Sequence, residues 1–480
     1  MGQMIRINLP KTEINTFYTF SDKELPEEYC RGLSCFVNRS EKPNYWNKAK
    51  DQYPRTYCLG KCYLSPSSTH EDSYPMIEVL SREPILSKFL NSKLDTLNDY
   101  IKLGGMNSYT YAITSMNQID VINEVKKSGL RGRGGAGFPT GIKWESAYNQ
   151  KEKKKYLIVN GDEGDPGAFS DRFLMEFSPY LVIEGALIAA YAIGADEIYF
   201  YIRREYPKSV YRIKSALIEI KNYFKKKNVT IPKINVEIGK GSYVVGEETA
   251  LINALMGRRP EPTSRPPYPT EKGLFGKPTV VNNVETLSNI PYIISNGGSK
   301  YYEFGFSKSR GTKLISLNSL FKKPGLYEVE FGITLEEIIK NAGGLKRGTL
   351  KGLLIGAPLS GIIMPDELNT RLGYEELREI GSSLGHGNII AFNEETNISE
   401  LLYEILDFAS YESCGKCTPC RLGTKKLRDL ISKGFFDKNE LNDVYDILES
   451  LRRTSLCGLG IGAGEVTFSI LNKYKNEVVK

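Results

Sequence analysis

Apolar positions along the chain repeat with two periods, and the period changes where the candidate elements change. Ile85, Leu86, Phe89, Leu90, Leu94 and Leu97 recur at helical spacing. From residue 156, short apolar runs alternate with longer stretches that are amphipathic or wholly apolar. This predicts strands at 156–159, 197–203 and 234–238, and helices at 179–194, 207–224 and 247–256. Strands separated by helices argue for a three-layer α/β domain with a largely parallel sheet. In such sheets a ligand binds beyond the carboxyl ends of the strands, where Asn160 to Asp165 stand. Residues 312–392 read as a small mixed α/β domain, and the chain from 397 as a bundle with helices at 398–412, 421–433, 438–453 and 464–475. Residues 1–75 are polar, tyrosine-rich and short of continuous apolar runs.

The length of 480 residues suits roughly three to four domains. Net charge is +7, carried by dispersed lysines rather than by an aromatic-interleaved basic stripe, so no nucleic-acid partner is expected. The longest apolar run, Leu181 to Ala195, is interrupted by Glu184 and is too short to cross a bilayer, so no membrane insertion is expected. The first residues carry neither a secretory nor a transit signature, and the expected location is cytoplasmic.

Chemistry concentrates at three places. Gly129-Leu-Arg-Gly-Arg-Gly-Gly-Ala-Gly-Phe-Pro-Thr-Gly-Ile-Lys-Trp is a basic, glycine-dense loop whose backbone can approach a ligand and turn its N–H groups onto phosphate, with Arg131, Arg133 and Lys143 beside them. The helical spacing before it makes it unlike the ordinary strand-loop-helix dinucleotide fingerprint; a glycine loop with no ligand is the alternative. Asp162, Glu163 and Asp165 offer acceptors for hydroxyls or a heterocycle's N–H edge. Glu247 and Glu248 suit a helix N-terminus or the same site, and Asn282 and Asn283 either cap a helix or face phosphate.

The eight cysteines fall into two quartets, Cys30, Cys35, Cys58, Cys62 and Cys414, Cys417, Cys420, Cys457, which favours metal over disulfides. The first quartet suits a 2Fe–2S cluster or zinc, and so weakly apolar a segment needs metal to fold. C-x2-C-x2-C with a distant fourth Cys signals a 4Fe–4S cluster, zinc being the alternative. His386, in Gly-His-Gly, reads as a loop residue rather than a ligand.

The glycine loop, Asn160-Gly-Asp-Glu-Gly-Asp-Pro-Gly, Val245-Gly-Glu-Glu-Thr-Ala-Leu, Val281-Asn-Asn-Val-Glu-Thr and Ser413-Cys-Gly-Lys-Cys-Thr-Pro-Cys-Arg together resemble the NADH-binding flavoprotein subunit of respiratory complex I and its relatives in NAD-linked hydrogenases and formate dehydrogenases. The resemblance covers about 105–480. It implies four parts: an N-terminal four-cysteine segment at 1–78, a shortened thioredoxin-like 2Fe–2S module; a Rossmann-like FMN/NADH-binding α/β domain at 79–308; a ubiquitin-like β-grasp domain at 309–395; and a helical bundle with 4Fe–4S at 396–480. FMN would lie on the loop Gly132, Arg133, Gly134, Gly135, Gly137, with Arg133 and Lys143 near its phosphate or ribityl chain. Asn160, Asp162 and Glu163 would meet the isoalloxazine side, and Gly246, Glu247, Glu248, Asn282, Asn283 and Thr286 would complete the pocket. Phe138 and Tyr268 would surround NAD(H), with Arg265 where relatives often have Lys. At Asp165 the complex I subunit has Glu, and the Asp matches the hydrogenase and formate dehydrogenase branch, near the expected nicotinamide.

The activity implied is that of a diaphorase: hydride exchange between NAD(H) and FMN, then single electrons through 4Fe–4S to partner subunits, namely an iron–sulfur electron-transfer subunit and a hydrogenase, formate dehydrogenase or complex I-like catalytic subunit. Position and electrostatics suffice for it, so no catalytic side chain is named. A flavin subunit that bifurcates electrons between NADH and ferredoxin, or a structural subunit with a vestigial site, are the alternatives.

Overall fold

The computed structural model describes residues 27–71, 73–92, 94–356 and 358–480; the part of the N-terminal segment before residue 27 lies outside them. Strand β1 (Met76–Val79) crosses the expected boundary at 78/79 and pairs with a strand formed far later in the chain.

The alternation after residue 156 produces a four-stranded, all-parallel sheet from β2 (Tyr156–Gly161), β3 (Glu197–Ile202), β4 (Lys233–Ile238) and β5 (Thr279–Asn283) in the order β4-β3-β2-β5. The chain builds outward from β2 to β4 and then returns to the other side of β2. That reversal opens a crevice between the carboxyl ends of β2 and β5, the usual ligand position in open α/β sheets. The register sets Asn160 directly beside Asn283 there. Helix Pro179–Ile193 starts on proline, ends on Gly194 in the left-handed conformation, and is buried along almost its whole length. Its Glu184 is satisfied by Tyr100 Oη at 2.5 Å and by the Met106 and Tyr109 amides at 2.9 and 3.0 Å. Among the described residues no single helix is long and apolar enough to cross a membrane; one bent pair, Ser170–Phe177 with Pro179–Ile193, passes by length and composition, and both its helices belong to this core.

After the small hairpin β6 (Gly305–Phe306) and β7 (Ser309–Arg310), a second sheet forms from β8 (Thr312–Leu317), β9 (Gly325–Glu330), β10 (Leu350–Ile355), β11 (Ile362–Ile363) and β12 (Asn388–Asn393). Its order is β1-β9-β8-β12-β10-β11, with β12 parallel to β8 and β1 parallel to β9. Helix Leu335–Asn341 enters on a capping box of Thr334 and Glu337.

The bundle consists of helices Ile398–Glu412, Thr418–Ile431, Leu441–Thr454 and Gly458–Lys473. Its core is shared with the N-terminal segment: Leu33, Phe36 and Trp46 pack in one cluster with Leu402, Ile405 and Leu406. Each such side chain contributes about 1.5–3 kcal/mol by leaving water. Between 27 and 75 the described residues form helices Leu33–Val37 and Pro43–Asp51, a 3-10 turn at Cys62–Leu64 and the isolated bridges Tyr29–Ser68 and Cys30–Thr56. No strand longer than an isolated bridge forms among them. Residues 36–57, between the two cysteine pairs, are taken up by one helix and its connections, which leaves no run for paired strands.

Candidate functional site: a nucleotide crevice beside two thiol sets

The glycine loop closes on itself through Gly132 N–H to Phe138 O (2.9 Å) and leads into helix Thr140–Tyr148. It lies over the end of β5: a Cβ on Gly134 would stand 2.9 Å from the Asn283 side chain. Only glycine lets the backbone come that close to the crevice, which fits a loop that cradles a phosphate-bearing cofactor.

Two charged residues depart from the sequence expectation. Arg133 is fully buried and turned away from the crevice, donating to Tyr301 Oη (3.0 Å), Arg310 O (2.5 Å) and Tyr374 Oη (3.2 Å); only its backbone N–H faces the site, donating to Thr286 Oγ1 at 2.8 Å. Glu163 is 1% exposed and caps helix Ser170–Phe177, accepting from the Asp171 and Arg172 amides at 3.1 Å each and from Tyr206 Oη at 3.0 Å. In both cases burial against protein partners outweighs exposure to a ligand, although Arg133 Nε itself has no hydrogen-bond partner.

The remaining residues frame the crevice. Asn160 donates to Gly246 O (3.0 Å) and accepts from Asp162 N–H (3.1 Å), joining β2 to the Tyr243–Gly246 turn. Asn283 accepts from Thr286 N–H (3.1 Å), the capping role that is one of its two alternatives, and donates to Asp171 Oδ2 (2.5 Å). Asn282 is held by Trp144 Nε1–H at 2.8 Å. Glu247 caps helix Glu248–Leu255 through the Thr249 and Ala250 amides. Arg265 bridges Glu247 (2.8 Å) and Glu248 (2.7 Å), and Lys143 reaches Glu248 at 3.0 Å. Phe138 and Tyr268 are 51% and 53% exposed, leaving ring faces free to stack. Tyr243, absent from the candidate residues although it stands three positions before Gly246, donates to Asp165 Oδ1 at 2.6 Å. Burial pushes Asp162 up to about 7, with Glu205, Glu412 and Asp165 adding to the rise and Arg203 opposing it. Burial likewise raises Asp165 and Glu412.

Cys417 and Cys457 immediately precede helices Thr418–Ile431 and Gly458–Lys473, so two helix N-termini point at one group of thiols, as suits a negatively charged cluster. Burial and the neighbouring Cys417, Cys457 and Cys414 push Cys420 up to about 12. Tyr243 and Val244 of the crevice loop pack in one apolar cluster with Cys414, Cys417, Cys420 and Cys457, so the loop and this thiol set are neighbours. Arg259 donates to Cys414 O at 2.5 Å, tying the proline-rich stretch 258–269 to the same place. The N-terminal thiols are all buried, Cys30 against Cys35 and Cys58 against Cys62. Arg203, at the end of β3, donates to Cys58 O at 3.0 Å.

A glycine cradle at a parallel-sheet switch point, sharing a loop with four convergent thiols, defines a flavin-dependent iron–sulfur oxidoreductase. Residues 125–292 match the Nuo51 FMN-binding domain, and residues 400–480 match the NADH-ubiquinone oxidoreductase-F iron-sulfur binding region. The F subunit of the NADH-quinone oxidoreductase of Aquifex aeolicus is 40% identical over 420 residues, covering 84% of this chain and 96% of its own length. The HndC subunit of the NADP-reducing hydrogenase of Solidesulfovibrio fructosivorans is 39% identical over 393 residues, 80% of each chain. A crystal structure of an NAD+-reducing NiFe hydrogenase in the H2-reduced state superimposes with TM-score 0.80 at 26% identity, covering 98% of this chain and 87% of that one. The chain belongs to the family of NADH-quinone oxidoreductase F subunits, which extends to hydrogenase subunits.

Proposed function

We propose that the chain is the NADH-oxidising entry subunit of a cytoplasmic multi-subunit oxidoreductase. It serves an iron–sulfur electron-transfer subunit and, through it, a hydrogenase, formate dehydrogenase or complex I-like catalytic subunit. The observation that carries this reading is the shared loop at 241–248. It borders the crevice through Asn160 and Gly246 and packs in one cluster with the C-terminal cysteines through Tyr243 and Val244. When bound, FMN would accept a hydride from NADH and release its electrons singly, chemistry that fits a crevice next to a cluster. The chain's own residues supply position. The Gly132–Gly137 loop and Thr286, in the helix that follows β5, offer the phosphate cradle, and Lys143 brings a cation to it. Asn160 and the Asp162–Asp165 loop border the ring side, and Phe138 and Tyr268 offer stacking surfaces for the dinucleotide. Cys414, Cys417, Cys420 and Cys457 would hold 4Fe–4S.

Arg265 bears on nucleotide choice. By pairing with both Glu247 and Glu248 it weakens the repulsion those carboxylates would exert on a 2′-phosphate, so NADH and NADPH belong in the same assay. For Cys30, Cys35, Cys58 and Cys62 we favour a 2Fe–2S cluster. The thiols stand as two close pairs, and among the described residues no three of them lie within 4.8 Å of one another. Sulfurs sharing one tetrahedral zinc stand about 3.8 Å apart. Two pairs suit two iron atoms. The order β9-β8-β12-β10-β11, with its parallel central pair, supports the β-grasp reading of the third segment.

Anaerobic addition of NADH or NADPH followed by low-temperature EPR tests these readings together. Expected are a reduced 4Fe–4S signal and a 2Fe–2S signal. Bound flavin with no cluster reduced by either nucleotide would refute the electron-entry role, and zinc in place of the second signal would refute the N-terminal cluster.

A further inference from the structure

His386 has no part in the cradle, yet it is only 5% exposed and sits between two buried carboxylates. Its Nε2 stands 2.9 Å from Asp171 Oδ2 and 3.1 Å from Glu163 Oε1. Two like charges this close to one another do not both stay ionised without a cation between them. Among the described residues His386 is the one cationic side chain paired with either carboxyl group, Arg203 reaching only the backbone O of Glu163. Of the other charged and titratable groups around the trio, Arg203 is paired with Glu205, Lys313 with Glu285, Tyr206 donates to Glu163, and Asp165 is held by Tyr243.

The surroundings show what this contact joins. Glu163 belongs to the loop after β2, and Asp171 accepts from Asn283 at the end of β5. His386 itself comes from the loop before β12. The same seam contains Asn388 Nδ2–H to Pro166 O (3.1 Å) and Phe169 N–H to Ser316 Oγ (3.3 Å). At Gly167, with φ +112°, a Cβ would stand 2.6 Å from Asn388 Nδ2. The loop bordering the crevice is thus seated on the third segment, with His386 as the charged centre of the seat.

We propose that His386 is a positioning residue of the flavin site: as an imidazolium it clamps the loop after β2 to Asp171, which holds the end of β5 through Asn283, and so sets the width and charge of the crevice between them. The inference rests on the reading that flavin occupies that crevice. It makes the third segment part of the redox site rather than a spacer between the flavin domain and the bundle. A divalent ion held by Glu163, Asp171 and His386 is the competing account of the same three groups.

The chain has only two histidines, and the other, His70, is exposed, so imidazole 15N spectra of the selectively labelled, full-length holoprotein resolve the state of His386 directly. Both nitrogens protonated from about pH 6 to 8, in metal-analysed protein free of a stoichiometric divalent ion, is the expected result for a clamp between two carboxylates. A neutral ring, or such an ion at one equivalent, overturns the proposal. The flavin midpoint potential supplies a readout that a purely structural role would not move. In H386Q the uncompensated carboxylates should shift it negative, make it pH-dependent near neutrality, and speed FMN release about tenfold. H386K should restore the potential. Unchanged potential and pH profile in H386Q, or equal shifts in H386Q and H386K, would overturn the role of the charge. Wild-type protein that binds no flavin would remove the flavin reading and the positioning role with it, while the spectra would still report the clamp.

Discussion

One buried carboxylate anchors the N-terminal four-cysteine segment to the bundle beside both cysteine pairs. Asp407, on helix Ile398–Glu412, has a side chain only 2% exposed and accepts from Arg31 at 3.0 Å, Arg55 at 2.7 Å and Tyr57 Oη at 3.1 Å. Arg31 follows Cys30 and Tyr57 precedes Cys58, so Asp407 grips the chain beside a thiol of each pair. Removing one partner of a buried ion pair costs about 3–5 kcal/mol. Asp407→Ala falls at the lower end of that range, because Arg31 keeps Glu404 at 3.3 Å and Arg55, 29% exposed, regains water. About 3 kcal/mol is a roughly 150-fold larger population of the detached segment. Hydrogen exchange followed by mass spectrometry reads this without relying on any metal. The Cys30 and Arg31 amides, bonded to Ser67 O and Thr56 O at 3.0 and 2.7 Å, should exchange about 100-fold faster. Amides of β2 and of helix Gly458–Lys473 should not change, and Asp407→Asn, which keeps an acceptor, should fall between. Exchange at residues 30–58 within threefold of wild type would refute the anchor, as would equal acceleration everywhere.

Two further outcomes are expected. Tyr374→Phe deletes a hydroxyl that donates to Gly132 O at 2.9 Å and accepts from buried Arg133 at 3.2 Å, while Arg131 keeps its stacking 4.1 Å from the ring. The loss, about 1.5–3 kcal/mol for a bond to a charged group, should weaken FMN retention by roughly tenfold or more with the cluster signals unaltered; FMN release at the wild-type rate would contradict it. Asp162, pushed up to about 7 by burial, keeps in the folded chain a proton that the unfolded chain loses near pH 3.9. Its contribution to stability therefore falls as pH rises from about 4 to about 7. Its ionisation adds negative charge beside the crevice, so NADH-driven flavin reduction in stopped flow should slow as pH rises through about 7. Asp162→Asn should be flat over that range; an inflection surviving in this variant would assign the titration to another group.

What was legible in the sequence was what neighbouring residues decide. Helices Pro179–Ile193 and Pro207–Lys226 and the terminal bundle follow from long apolar periodicity, and the parallel sheet from alternation. Glycines announced the loop that approaches Asn283, and Asn283 caps the helix its position suggested. Direction was not legible. An arginine among glycines reads as a phosphate partner, but Tyr301, Arg310 and Tyr374, far along the chain, draw Arg133 inward. Glu163 reads as a ligand-facing carboxylate, yet the helix it precedes and a histidine more than two hundred residues later claim both its oxygens. Residue type reports chemistry. Which way the side chain points depends on contacts that local pattern does not contain.

These inward-turned residues explain how so glycine-rich a crevice can hold a fixed shape. A loop free enough to let its backbone touch a cofactor has little order of its own, because glycine loses more conformational freedom on folding than any other residue. The order is imposed from outside: Tyr374 and Glu375 hold the loop through Gly132 O and Arg131, His386 and Asn388 hold the segment after β2, and Arg265 with Lys143 hold the Glu247–Glu248 pair. The tethers reach the crevice from elements other than the loops they hold. Two of the three groups come from the segment that carries no cysteine and no glycine cradle of its own. Preorganisation by distant elements is what a site needs when its chemistry asks for alignment and electrostatics rather than for an acid or a base.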